Sequence, residues 1–259
     1  IEQKVDYCII EAGMGGRLDA TTALDYQACL ITNVGLDHTE YLGNTFEQIA
    51  YEKSGIFKPN VPALTTEDKP ECRKVMELVA DYMNTPLCFI DCQETDVLRW
   101  NGMTFHLYQA KNLSLALETL NVLGIWLEEN EIQEVIDHFQ WAGRFMVLRK
   151  APLVLLDGAH NVHGITALIH ALKNFHGKIY FSVLKEKDAP HMIELLQTIS
   201  KDITLVEISS ARLYPLEKLG YPIITVDELI SRLLDTKEDS LLCGSLYYVG
   251  EVLEKWGNV

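Results

Sequence analysis

The sequence has no apolar run long enough to cross a bilayer, and no signal-peptide pattern opens it; neither a membrane protein nor a secreted one is expected. Positive charge is scarce: 22 Lys and Arg stand against 37 Asp and Glu, for a net charge of −15. That argues against general binding to nucleic acid or to an anionic membrane surface, which needs a cationic field. The six cysteines are Cys8, Cys29, Cys72, Cys88, Cys92 and Cys243, and none forms a C-x-x-C pair. Cys88 and Cys92 make a C-x-x-x-C without a second half, so a zinc site is not expected. Most of these thiols read as small core residues, and a reducing cytoplasm suits them. Repeats, low-complexity tracts and long linkers are missing too. Gly13, Gly15 and Gly16 give part of a dinucleotide fingerprint, but Leu18 stands where G-x-G-x-x-G needs its third glycine. The glycines are better read as permitting a tight backbone path.

What is present is a normal globular composition. The 259 residues are 48% apolar and 23% charged, enough for one large or two ordinary domains. Val5, Tyr7, Ile9 and Ile10 read as a buried strand with Glu11 at its C-terminal end. Ala28 to Thr32 reads as a second strand, followed by Asp37 and His38, and Thr45 to Lys53 as a helix. Ligands of open α/β sheets bind beyond the carboxyl ends of parallel strands. Glu11 and His38 are therefore expected in one crevice, with Lys53 arriving from the helix. Glu offers hard oxygen to Mg²⁺, which takes only one or two protein ligands beside phosphate oxygens and waters. A His after a strand can equally be structural. Lys53 cannot ligate as an ammonium, which has donors and no acceptor, but a carbamate would present two oxygens. Arg17 and Asp19 are either an ion pair or groups facing a substrate.

Further along, Pro62 to Thr65 fits a short strand, Glu71 to Met83 a helix, and Pro86 to Asp91 another strand. Val97 to Leu107 fits a hairpin around Asn101 and Gly102. Asn112 stands at the head of a helical stretch ending at Gly124 and reads as its N-cap. Ile132 to Phe139 fits a short amphipathic helix. Arg144, in the turn Trp141 to Phe145, suits either an interdomain salt bridge or a bidentate phosphate contact.

From about Lys150 strands and helices alternate regularly. Strands are expected at Leu153 to Leu156, Lys178 to Val183, Ile203 to Glu207, Pro222 to Thr225 and Ser240 to Cys243. Helices are expected at Val162 to Phe175, Ala189 to Ser200, Val226 to Leu234 and Tyr247 to Trp256. That is an α/β domain with a mostly parallel sheet. Asp157 follows its first strand, where it can accept ribose hydroxyls, and Asn161 or Asp157 can cap the next helix. Ser245 reads first as an N-cap.

EAGMGGRLDATT, TNVGLDHTEYLG and YEKSGIFK, followed in order by YQAKN, WAGRF, LLDGAHN and CGSLYYVG, resemble the signatures of folylpolyglutamate synthases and bifunctional dihydrofolate synthases within the Mur ligase superfamily. The resemblance implies an α/β architecture: the remainder of a P-loop ATPase-like central domain over 1–148 and a smaller Rossmann-like C-terminal domain over 149–259. It implies ATP-dependent addition of L-glutamate to a folate, or to dihydropteroate, through an acyl phosphate; nothing in the sequence demands more than a monomer. By resemblance Glu11 and His38 are Mg²⁺ ligands and Lys53 is a catalytic lysine carbamylated by CO₂ that helps hold the second metal ion. Asn112, Arg144 and Asp157 would bind ATP, with His160 near the phosphates or the incoming glutamate. Arg17, Asp19 and Ser245 would face substrate. Ala142 stands where the family usually has Pro, and Met146 where it has Glu. The family's GKGS-type phosphate loop has no counterpart here, so the front of the central domain is expected to be missing, and a loop near 105–109 as well. Two other readings stay open: a Mur-type ligase with another carboxylate acceptor, and a catalytically inactive nucleotide-binding fragment.

Overall fold

Thr45 and Gln48 cap each other: the Thr45 hydroxyl accepts from the Gln48 amide at 3.3 Å, and Gln48 Oε1 accepts from the Thr45 amide at 3.2 Å. The helix they start, α2 (Phe46–Ser54), runs as the sequence predicts. It follows a single turn, α1 (Thr39–Leu42). The structure, a computed structural model, describes residues 4–91, 97–100, 103–106, 108–138, 141–172 and 175–257. By packing, the chain divides into two compact units, Ile1–Ile132 and Gln133–Val259.

The first unit is built on a parallel three-stranded sheet in the order β1 (Cys29–Ile31), β2 (Ala63–Thr65), β3 (Leu87–Phe89). Helix α3 (Pro70–Met83) crosses between β2 and β3, with Pro70 in its first turn and Asn84 closing it at φ 53°. Ile49 and Ala50 of α2 and Cys72 and Met76 of α3 pack with Phe57, Cys29 and Ala63 in one core. Each fully buried side chain of the size of Ile or Phe contributes about 1.5–3 kcal/mol. Strands β4 (Val97–Trp100) and β5 (Met103–His106) pair antiparallel, as the predicted hairpin requires; its turn residues lie outside the described set.

Three sequence expectations fail over these residues. The run Val5 to Ile10 is neither strand nor buried, with Ile9 97% exposed. An apolar run becomes a strand only by pairing, and among the described residues β1 and β3 are the outer strands of the sheet and neither takes this run as a neighbour. Asn112 does not cap a helix: α4 (Tyr108–Val122) begins four residues earlier and carries Asn112 exposed within it. Helix α5 (Glu129–His138) likewise starts three residues before its expected place.

The second unit has a six-stranded sheet in the order β10 (Ile223–Thr225), β9 (Ile203–Glu207), β8 (Lys178–Phe181), β11 (Ser240–Cys243), β7 (Leu153–Asp157), β6 (Met146–Lys150). All pairs are parallel except β6 with β7, which are antiparallel. Helices α6 (Val162–Ala171), α7 (Ala189–Leu196), α8 (Val226–Asp235) and α9 (Leu246–Trp256) connect or follow the strands. Every parallel strand lies where the sequence places it. Val154, Leu156, Tyr180, Leu242, Tyr248 and Val252 share one buried cluster. Among the described residues Cys29, Cys72 and Cys243 are buried and Cys8 and Cys88 exposed. No helix is long and apolar enough to cross a membrane among the described residues.

Candidate functional site

In the first unit the candidate site gathers around the last turn of α2. Lys53 stands there half-buried, and burial lowers its pKa while the negative charge of Asp37 works in the opposite direction. Asp37 therefore lies near enough to Lys53 to act on it. His38 follows, with its backbone at φ 51° and its N–H donating to Asp37 Oδ1 at 2.9 Å; its imidazole is exposed beside α1. The loop after β1 thus brings a carboxylate to act on a lysine with weakened proton affinity, and the next residue carries an imidazole. Glu11 is on the exposed irregular segment, and no bond joins it to His38 or Lys53. Among the described residues no three His, Cys, Asp or Glu side chains cluster as a metal site. Imidazole, carboxylate and an amine that can become a carbamate are nonetheless a donor set suited to a hard divalent ion.

The Gly13 to Asp19 loop packs on the same turn of α2. The Arg17 amide donates to the Glu52 carbonyl at 2.8 Å, and its guanidinium grips the Glu52 carboxylate, Nη2 to Oε1 at 2.8 Å. The sequence offers Arg17 and Asp19 as an ion pair or as groups facing substrate; the structure pairs Arg17 with Glu52. Asp19 closes its own loop. It accepts from the Thr21 amide at 2.9 Å and hydroxyl at 2.6 Å, and from the amides of Gly13 at 2.8 Å and Met14 at 3.2 Å. The Thr21 bonds, then the Met14 bond, hold its carboxyl down at about 2. Gly16 is a necessary glycine, since a Cβ there would stand 2.8 Å from the Lys53 carbonyl oxygen.

In the second unit the candidates collect at the carboxyl ends of β7 and β11, where Asp157 and Cys243 are register partners. Asp157 is 5% exposed. Its Oδ2 accepts from the Phe145 amide at 2.7 Å and its Oδ1 from the Ala159 amide at 2.8 Å. The Gly158 amide donates to the Gly143 carbonyl at 2.7 Å. The turn bearing Arg144 is therefore fastened to the loop bearing Asp157 and His160, and Arg144 is half-buried within it. His160 Nδ1 lies 2.8 Å from the Gly158 carbonyl. Asn161 caps α6 through the Gly164 amide at 2.7 Å, and Ser245 caps α9 through the Tyr247 amide at 3.2 Å, both as the sequence predicts. Burial raises the Cys243 thiol well above its ordinary range, the Asp157 charge adding to the effect.

So the structure ties His38 to Asp37, whose charge acts on Lys53, and in the second unit it fastens the turn of Arg144 to the loop of Asp157 and His160; in the first unit Glu11 and Asn112 are exposed. Sequence reasoning passed over three acids. Asp37 was legible as the partner of His38 in the dipeptide. Glu52 and Glu67 carried no signal beyond adjacency to Lys53 and to Thr65 and Thr66.

The Mur ligase middle domain family matches residues 1–124. The dihydrofolate synthase/folylpolyglutamate synthase of Bacillus subtilis is 30% identical over 291 residues, covering 97% of this chain and 68% of that protein. Among solved structures, Escherichia coli FolC in complex with ADP superposes with a TM-score of 0.79 at 27% identity, over 95% of this chain and 66% of that one. The Yersinia pestis bifunctional folylpolyglutamate synthase/dihydrofolate synthase complexed with AMPPNP and Mn ion gives 0.80 at 26% identity, over 95% and 65%. The chain spans about two thirds of the length of these relatives.

Proposed function

The chain belongs to the dihydrofolate synthase/folylpolyglutamate synthase family, and from that premise we propose that it is the part of an ATP-dependent ligase that helps join L-glutamate to a folate or to dihydropteroate. The acceptor carboxylate takes the γ-phosphoryl group of ATP, releasing ADP. The α-amino nitrogen of glutamate then attacks the acyl phosphate carbonyl, and phosphate leaves as the amide forms.

The observation that carries the reading within this chain is Lys53: a half-buried lysine with lowered proton affinity under the charge of Asp37, the residue before His38. A deprotonated amine attacks CO₂, forming an N–C bond and losing a proton to leave a carbamate. Lys53 in that form, with His38 and Glu11, would hold Mg²⁺. When bound, the ion supplies neutralisation of charge on the phosphoryl oxygens. Arg144 offers bidentate contact to phosphate. Asp157, its direction fixed by the Phe145 and Ala159 amides, would accept ribose hydroxyls. Asn112 would read adenine, His160 would lie toward the phosphates, and Ser245 toward glutamate. Arg17 and Asp19 support the site by shaping the loop against α2. A charge of −15 offers no cationic field to nucleic acid or a membrane surface, and the buried thiols suit a reducing cytoplasm; the protein would act as a monomer.

The test is glutamate-dependent ADP release by the full-length protein with dihydropteroate and with tetrahydrofolate. Release with both marks a bifunctional ligase. Release with neither, but with another carboxylate acceptor, moves the protein to a different branch of the ligases.

A further inference from the structure

Glu67 is a buried carboxylate for which the reaction above has no use. It is 2% exposed, and its side chain is wholly covered. Its Oε1 accepts from the Asp68 amide at 3.1 Å, the Lys69 amide at 2.8 Å and the Lys69 ammonium at 3.2 Å. Its Oε2 accepts from the amide of Val34. The first three donors belong to the entrance of α3, so a local capping role would account for them. Val34 does not belong there. It lies in the loop after β1, thirty-three residues earlier, and its side chain is fully buried. Thr66 adds a second tie across the same gap, its hydroxyl donating to the Thr32 carbonyl at 2.6 Å. Thr65 fixes Glu67 in turn by accepting its amide at 3.0 Å.

The exit of β2 therefore holds the exit loop of β1 by one carbonyl and one amide. From those two anchored points the loop runs on to Asp37 and His38, where the backbone turns through φ 51°. Carboxylate burial is costly unless the donors around it are complete. Here one of those donors comes from the loop, so loop and carboxylate must be placed together. We infer that Glu67 is a positioning residue for the Asp37–His38 loop: it sets where carboxylate and imidazole stand relative to Lys53, and through them the affinity of the site for a divalent metal ion. This rests on the proposed reading of His38 as a metal ligand.

The experiment is an electron paramagnetic resonance titration of the full-length protein with Mn²⁺ in the presence of AMPPNP, alongside thermal melting. Glu67→Ala is expected to weaken Mn²⁺ binding by roughly 10–100-fold, the range found when a group supporting a metal ligand is removed. Glu67→Gln keeps the size and one acceptor and should fall between wild type and Ala; it also serves if the Ala variant does not fold. Thr66→Val removes only the Thr32 tie and should shift binding the same way. Lower melting temperatures with Mn²⁺ affinity unchanged in both Glu67→Gln and Thr66→Val would overturn the inference and leave Glu67 as a cap of α3. His38→Ala is run beside them. Unchanged Mn²⁺ affinity in that variant would overturn the metal reading itself, and the inference with it.

Discussion

Arg17 and Glu52 are joined twice, by an amide-to-carbonyl hydrogen bond of 2.8 Å along the main chain and by a guanidinium fork onto the carboxylate. The guanidinium also lies 5.5 Å from the Tyr51 ring centroid. Residue 53 is the next in the chain. The glycine loop is thus fastened to the turn of α2 that presents Lys53, by a residue whose own side chain is largely exposed.

Gly55 makes that approach possible. A Cβ there would stand 2.2 Å from the Arg17 Cα, a backbone atom that cannot swing away. Gly55→Ala should destabilise the protein by about 1–3 kcal/mol or more, as overpacking does. Arg17→Ala leaves the main-chain bond intact and should cost clearly less, because an exposed ion pair is weak. Thermal melts of the two variants test the order; a Gly55→Ala protein as stable as wild type would show that the loop is not held against α2.

Asp19 gives the loop an acid limit. Its carboxyl is held at about 2 against an ordinary 3.8. A carboxyl lowered in the folded state contributes stability that is fully present above the ordinary value and is lost as pH falls through the lowered one. Asp19→Asn should remove that contribution. Denaturation midpoints followed from neutral pH down toward pH 2 should therefore differ between wild type and variant at neutral pH, and the two curves should converge at the acid end.

Lys53 behaves in the opposite sense. Its pKa is lowered by burial, so the folded state gives up its proton more readily than the unfolded chain. The cost of holding it charged is present below the folded pKa and is relieved as pH rises toward the ordinary 10.5. Lys53→Met should flatten that alkaline rise in stability. Lys53→Ala in the full-length protein should nearly abolish ADP release, and near-normal turnover would remove the carbamate role. A ¹³C carbamate signal from protein equilibrated with labelled CO₂, absent in the Ala variant, checks the modification directly.

How much of this was legible depended on what each feature needs. The five parallel strands of the second unit are short apolar runs bounded by polar turns, and they lie where the sequence places them. Strand β6 was not legible, because its register shifts between Val147 and Arg149 and breaks the alternation. The Val5 to Ile10 run has the right composition for a strand, but pairing is not written in composition. Helix α4 was misplaced because Asn112 is a favourable cap residue standing inside a helix that had already begun. Motif residues pointed to Lys53, His38 and Asp157 as candidates, yet the ties around them did not show: Glu52 and Glu67 act across 35 and 33 residues of chain. A tertiary hydrogen bond leaves no periodicity behind.

Asp157 of the second unit, the proposed ribose contact, is also a structural tie. The Phe145 amide that it accepts belongs to a residue at φ 47°, a conformation unfavourable for any residue with a side chain and here held in a buried turn. Asp157→Ala would strand two buried amides, those of Phe145 and Ala159, each costing about 1–3 kcal/mol. The turn bearing Arg144 should then loosen, so a loss of nucleotide affinity in this variant would not by itself place Asp157 on the ribose. Asp157→Asn retains one acceptor and turns a donor toward the other amide, so it too should destabilise, though less. The informative comparison sets urea unfolding beside ADP affinity measured by calorimetry. If Asp157 acts only by holding the turn, affinity should fall in proportion to stability across the two variants. If it also accepts from ribose, Asp157→Asn should lose more affinity than its stability implies, and the excess should disappear with a nucleotide that lacks the ribose hydroxyls.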